Sequence, residues 1–224
     1  MTLFFRQIRI VFWKDILVEF RNLTQLYAVL LFGILSLLLF SFALSVDPDV
    51  MKRMASGLFW LAILFSAVIS LDHSFRKERE EGQWEGLLLL GIDPRALYLG
   101  KFFANFAFLI LMNAVFLPLM SILYDLTLTT SLVSVLLLGS LGIATLGTFY
   151  AGLTSTFREG QALLPVLLFP MLVPVLLAAV KVTDLMLARD VFGQQVAWAK
   201  LLLVFDAVFL AGSLLFAETL FEGI

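Results

Sequence analysis

The hydrophobic pattern divides the chain into long apolar runs separated by short polar breaks. A helix needs about 20 apolar residues to cross the hydrocarbon core, and six segments reach that length: about 23–46, 54–72, 99–124, 127–152, 161–181 and 196–217. Residues 1–22, ahead of them, are too charged to span. Phe5, Ile8, Phe12, Ile16 and Phe20 recur there at spacings of three and four, so one stripe of a helix is apolar. Arg9 and Glu19 interrupt that stripe. The pattern predicts a helix lying in the cytoplasmic interface of a membrane. A cytoplasmic extension of the first span is the alternative. The fold class expected is an all-α membrane protein of six transmembrane helices with an N-terminal interfacial helix, forming a single transmembrane domain over 1–224.

Polar and helix-breaking residues inside the spans add detail. The fifth span carries Pro165, Pro170 and Pro174. Each removes a backbone donor and crowds the preceding turn, so this helix is expected to kink or locally unwind. That is tolerated in a membrane where neighbours satisfy the freed carbonyls. A working hinge and a static kink are both consistent with the pattern. Asp206 is the one acid well inside a span, and it should face protein or a water-filled path, as a functional group or a packing one. Asn105 and Asn113 lie eight apart on nearly one face of span three and fit interhelical hydrogen bonds. Gly139, Gly142 and Gly147 of span four, with Ser140, Ala144 and Thr145, make a small-residue surface for close helix approach.

Composition agrees with the pattern. The chain is 62% hydrophobic and 14% charged, with 23 phenylalanines among 224 residues, more apolar surface than a soluble domain of this size can hide. It has no cysteine, which excludes disulfides, thiolate metal sites and thiol catalysis. A net charge of −2 and sparse basic residues argue against nucleic-acid binding. Placing the N-terminus in the cytoplasm puts Arg6, Arg9, Lys14, Arg21, Arg76, Lys77, Arg79, Arg95, Lys101 and Arg158 inside. Lys52, Arg53, Lys181, Arg189 and Lys200 are then outside. The excess of basic residues on the first side predicts that both termini are cytoplasmic.

One stretch departs from the oily composition. "FRKEREEGQWEGLLLL", Phe75 to Leu90, gathers Arg76, Lys77, Glu78, Arg79, Glu80, Glu81 and Glu85 within a few residues. Arg76–Glu80 and Lys77–Glu81 are spaced i,i+4, so the run is compatible with helix, and Gly82 interrupts it. Trp84 and Leu87 to Leu90 form an apolar ledge, after which Asp93 and Pro94 are placed to cap and begin the next helix. Charge beside an aromatic and an apolar ledge reads as a docking surface for a soluble partner; a solvated loop is the simpler reading. Gly86 and Gly91 have the spacing of a phosphate loop. Ile92 and Asp93 stand where its Lys and Ser/Thr belong, so ATP is not bound there. His73 is the chain's one histidine, and no zinc-protease motif or catalytic triad accompanies it. The expectation is a non-catalytic chain that binds no cofactor or metal of its own.

The segment "LDHSFRKEREEGQWEGLLLLGIDPRALYLGKFFANF", Leu71 to Phe106, resembles the loop after span two in the haem exporter protein B family, the permease of the cytochrome c maturation system. Asp72, Phe75, Glu78, Glu81, Gly82, Glu85 and Leu87 to Leu89 fit that family's pattern. Trp84 stands where a leucine is usual, and Gly91 to Pro94 replace a step richer in serine and proline. "FWKDILVEFRN" is similar to the family's opening segment and "LLPVLLFPMLVP" to its fifth helix. The loop alone is also similar to ABC-2-type export permeases in general.

The resemblance implies a membrane subunit of an ABC transporter with an ABC-2-like architecture, in the bacterial inner membrane. Two copies would pair with two copies of a separate ATPase carrying ATP and magnesium. Residues 73–98 would form the coupling loop, with Asp72, Phe75, Arg76, Glu78, Glu81, Gly82, Trp84, Glu85, Leu87 and Leu88 on or beside the ATPase. Further implied partners are a haem-handling membrane protein, a small membrane subunit and a periplasmic haem chaperone, with haem as a substrate of the complex. An exporter of a lipid, glycan or drug, and a scaffold without a transport cycle, are the rival readings.

Overall fold

A computed structural model describes residues 2–44, 48–80, 91–125, 130–155, 160–188 and 193–222. Among these residues the chain forms seven helices: α1 (Thr2–Arg21), α2 (Leu23–Leu44), α3 (Pro48–Glu80), α4 (Pro94–Tyr124), α5 (Thr130–Ser155), α6 (Gly160–Leu187) and α7 (Gln194–Glu222). The six from α2 to α7 are long and apolar enough to cross a membrane. The protein is a multi-pass, all-α membrane protein.

The break between α1 and α2 is a single residue, Asn22. Its N–H donates to the Val18 carbonyl at 3.1 Å, closing α1, while its own carbonyl accepts from the Gln25 and Leu26 amides and opens α2. Its side-chain amide also donates to Gln25 Oε1 at 3.0 Å. Asn22 thus caps two helices at once. α1 docks along α4. Val11, 1% exposed, meets Gly100, where a Cβ would collide with the valine side chain. Leu3, Phe5, Ile10, Trp13, Leu17 and Phe20 point outward, while Ile8, Phe12 and Ile16 are half-buried, as suits a helix that faces lipid as well as protein.

α3 runs past the expected end of the second span. Its 33 residues make a rod of about 50 Å at 1.5 Å per residue, where the hydrocarbon core takes about 30 Å. The charged residues Arg76 to Glu80 are therefore helical backbone at the end of that rod, not loop. Residues 58–80 contain neither glycine nor proline to stop the helix, and the i,i+4 charge spacing favours it. On the far side, Asp93 takes an extended backbone conformation, its carboxylate accepts the Arg95 amide at 2.8 Å, and Pro94 fills the first turn of α4. Of the coupling loop expected over 73–98, residues 73–80 are helix, and 94–98 are helix as the Asp93–Pro94 cap predicts.

α5 is the hub, packed on α3, α4, α6 and α7. Its small residues admit large neighbours: Gly139 lies under the Trp60 ring, Gly147 under Leu71, and Gly142 against Asp206 and Val175. Hydrogen bonds between helices reinforce the seams. Tyr98 donates to the Thr145 carbonyl at 3.0 Å, Asn105 to Thr148 Oγ1 at 2.9 Å, and Asn113 to Ser140 Oγ at 2.7 Å. Trp60 Nε1 donates to Thr183 Oγ1 at 3.0 Å and ties α3 to α6. With no water to satisfy buried polar groups in a bilayer, such pairs take over as the specific contacts between helices.

α6 stays helical through Pro165, Pro170 and Pro174, so the local unwinding allowed by its sequence is not adopted. One face, Leu164, Leu168, Leu172, Val175, Ala179 and Val182, is wholly buried. That continuous seam against α5 and α7 holds the helix together where the prolines have removed hydrogen bonds.

Candidate functional site at the charged end of the bundle

The N-terminal helix, the start of α4 and the C-terminus of α7 share one end of the bundle. Arg95 and Glu218 form an ion pair at 2.9 Å between α4 and α7. Gln7 of α1 reaches across to the residues that precede α4. Its amide nitrogen donates to the Gly91 carbonyl at 3.3 Å, and its amide oxygen accepts from the Asp93 backbone at 3.4 Å. Gly91 has φ +67, a left-handed conformation that glycine adopts without steric cost, and this turns the chain into Gln7's grasp. The exit of the charged segment is thereby fixed to α1, α4 and α7.

Its entrance is fixed by a buried lysine. Lys101 on α4 is 0% exposed. Its ammonium donates to Asp15 Oδ2 of α1 at 3.2 Å and to the Ser74 carbonyl of α3 at 3.3 Å. It also lies 4.5 Å from the centre of the Phe75 ring, a favourable cation–π distance. Asp15 is bridged a second time by Lys14 at 3.0 Å. One ammonium thus joins three helices just where α3 leaves the apolar span and becomes charged. Buried ions demand this kind of enclosure, since an unpaired charge away from water is costly.

Of the residues singled out from sequence, Phe75 is 1% exposed and serves as the aromatic floor of this node; it is not available to a partner. Asp72 lies one turn earlier on α3. Arg76 and Glu78 lie on the helical end of α3, and their side chains fall outside the described residues, as do Glu81, Gly82, Trp84, Glu85, Leu87 and Leu88 entirely. Asn105 and Asn113 both bond to hydroxyls on α5, the packing role expected of them. Asp206 is 1% exposed, and among the described residues neither carboxylate oxygen has a hydrogen-bond partner. It sits apart from the charged end, in the seam between α5, α6 and α7. The three prolines lie on α6.

Sequence reasoning passed over Gln7, Asp15, Lys101 and Glu218. Lys101 left a signal: a lone cation in "LYLGKFFANFAFLIL", with no acid within eight residues beyond Asp93, must find its partner in another helix. Nothing in the sequence says which helix that is.

The sequence profile of the family described as CcmB protein matches residues 6–219, from α1 through α7. Over 188 residues the chain is 29% identical to Heme exporter protein B of Haemophilus influenzae, covering 82% of this chain and 84% of that protein. It is 33% identical over 151 residues to the protein of the same name from Rhodobacter capsulatus, covering 66% of this chain and 69% of the relative. With the counterpart from Pseudomonas aeruginosa the identity is 30% over 161 residues, 70% of this chain and 72% of the relative. With the profile running through every helix of the bundle, the chain belongs to the CcmB protein family.

Proposed function

We propose that the chain is the membrane subunit of a haem-exporting ABC transporter complex acting in cytochrome c maturation, and that its charged segment seats a separate ATPase. The family and its relatives' names support the haem-export setting. The observation that carries the coupling role is the double anchorage of the segment: Lys101 holds its entrance and Gln7 its exit. A segment so held transmits a push to α1, α3 and α4 together instead of flexing alone. In this reading both termini are cytoplasmic in the inner membrane. Two copies of the chain pair with two ATPase subunits, which hold the ATP and magnesium, and this chain binds no cofactor and does no chemistry itself. Closure of the ATPases displaces the segment, α3 and α4 carry the motion across the bilayer, and the outer end responds around α6 and the 182–195 stretch. Haem is the cargo of the complex, handled by a further membrane protein and a small membrane subunit and released on a periplasmic chaperone. Energetically the chain needs only two arrangements whose balance the nucleotide state biases.

The test is the double substitution Glu81→Lys and Glu85→Lys, which reverses charge on the segment without touching its anchors. The expected result is ATPase activity lost or uncoupled from the membrane subunit, together with failed cytochrome c maturation. Normal maturation with normal ATPase binding refutes the coupling role.

A further inference from the structure

Three spans meet near their midpoints at Asp206. It lies halfway along Gln194–Thr219, Val175 lies halfway along Leu163–Leu187, and Gly142 is next to the centre of Ser131–Ser155. A Cβ on Gly142 would come within 2.5 Å of Asp206 Oδ1 and 2.7 Å of Val175, so no water fits between the carboxyl and the glycine. Neither carboxyl oxygen meets a donor among the described residues. A cation beyond them does not reach in along these helices. The nearest side chain outside the described residues, Thr130, is 12 positions from Gly142, about 18 Å along α5.

The charged groups on the surrounding helices are all elsewhere. From Ser131 to Ser155, α5 has none. α6 brings Lys181 and Asp184, and α7 brings Lys200 and Glu218. Lys181 is six positions from Val175 and Lys200 six from Asp206, about 9 Å along each helix, and both are exposed. α4 also touches α7, but its Arg95 and Lys101 are engaged with Glu218 and Asp15. An ionised carboxylate at this depth would have neither donor nor water, and the neutral acid is the form the seam accommodates.

At the end of the bundle opposite the charged one, a groove of about 310 Å³ opens between α5, α6 and α7, lined by Leu138, Met186, Val196 and Leu203, with Gln195 and Lys200 as its polar members. A lysine six residues into a span draws water and headgroups in with it. Leu138 precedes Gly142 by one turn and Leu203 precedes Asp206 by one turn, each pair on one face of its helix. The groove therefore points at Asp206, with those two leucines between. We propose that Asp206 is a proton-binding site, held as the neutral acid while α5, α6 and α7 are packed and exchanging its proton with water through this groove. On deprotonation the proton passes to water admitted past Leu138 and Leu203, leaving a carboxylate that the closed seam cannot solvate. The packing of α7 on α5 then answers to the acidity on one side of the membrane. The inference does not depend on the ATPase-coupling role.

The test is infrared spectroscopy of the full chain in a detergent without ester groups. At neutral pH a carbonyl stretch of a protonated carboxylic acid is expected, shifted when the aspartates are isotope-labelled and lost in Asp206→Asn. In heavy water that band should exchange slowly in the parent. Leu203→Ala, at a position 55% exposed and so of little cost to folding, should speed the exchange several-fold, whereas Leu215→Ala, exposed on the charged half of α7, should not. Absence of an isotope-sensitive acid band at neutral pH overturns the proton site, as does a band that survives Asp206→Asn. Exchange that Leu203→Ala leaves unchanged, or that both leucine variants speed alike, overturns the route.

Discussion

Substituting Asp15 with Asn isolates the energy of the buried lysine. The change keeps size and shape but takes the Asp15 charge away from the Lys101 ammonium, 0% exposed, which keeps the Ser74 carbonyl and the Phe75 ring. Removing one partner of a buried ion pair costs about 3–5 kcal/mol, because the other charge stays desolvated. The reciprocal change, Lys101→Met, should be milder. It keeps the apolar stem and removes the desolvated charge, while Asp15, 11% exposed, retains Lys14 at 3.0 Å. Its loss is about 1–2 kcal/mol, from two hydrogen bonds and the ring contact. The double variant removes both charges and should cost no more than Lys101→Met alone, because a neutral pair of similar volume is tolerated in place of a buried ion pair. The cycle therefore predicts a coupling energy of roughly 3 kcal/mol or more between the two sites. Thermal unfolding in detergent, followed by tryptophan fluorescence, reads the order directly. At about 2–4 °C per kcal/mol for a chain of this size, Asp15→Asn should lower the midpoint by roughly 6–20 °C and Lys101→Met by roughly 2–8 °C. The ordering should persist in high salt, since buried pairs are little screened. Equal effects of the two single changes, or a double variant whose loss equals their sum, refute the idea that Lys101 is held by Asp15.

The clasp at the other end of the segment is polar and partly exposed, so its loss should be local. Gln7→Ala is expected to leave the unfolding temperature within a few degrees but to speed hydrogen exchange of the amides around Asp93 to Leu97 several-fold. Unchanged exchange there would mean that Gln7 does not hold the turn. In the bundle interior, Gly142→Ala should destabilise by about 1–3 kcal/mol, because its Cβ would meet Asp206 Oδ1 at 2.5 Å and Val175 at 2.7 Å. Adding Asp206→Ala should restore part of that loss. It clears the Asp206 contact though not the Val175 one, and removes two buried oxygens that no donor among the described residues meets, each such group costing about 1–3 kcal/mol. A double variant no more stable than Gly142→Ala refutes this account of the seam.

Much of the fold is legible in the sequence because a bilayer makes the rules local. A span must be apolar for about 20 residues, so the six spans stand out one by one, and α4's cap at Asp93 and Pro94 is written in two residues. The glycines of α5 likewise announce close packing before their neighbours are known. The end of α3 is less legible. Hydropathy stops at the charges near Leu71 and Asp72, whereas the backbone continues as helix to Glu80, because helix needs hydrogen bonds and compatible side chains, not oil. Least legible is the anchorage of the charged segment. Asp15 and Lys101 lie 86 positions apart, and an isolated acid on an amphipathic helix reads as solvent-facing until another helix packs over it. Phe75 shows the same limit: the family resemblance places it on or beside a partner ATPase, but only the tertiary arrangement turns it into the buried floor beneath an ammonium.

The two classes of polar contact in this bundle divide its labour. Between the spans, hydroxyl and amide pairs such as Asn105–Thr148 and Trp60–Thr183 are neutral, short-range and free of net desolvated charge, which suits surfaces that must pack tightly in lipid. At the charged end a full ion pair is buried instead, though neutral pairs would hold helices together at lower desolvation cost. A charge pair is a geometric constraint more than a source of stability: Lys101 tolerates few arrangements in which Asp15, the Ser74 carbonyl and the Phe75 ring are all within reach. A displacement of α3 that breaks that set exposes a buried charge, so α1 and α4 must move with it or the energy rises steeply. Under the proposed function, this makes the base of the charged segment stiff where force enters, while the neutral seams around α5 leave the spans able to slide. Stiffness at the input and tolerance within the bundle are what a subunit needs if it is to turn a push from a soluble partner into a rearrangement across the membrane.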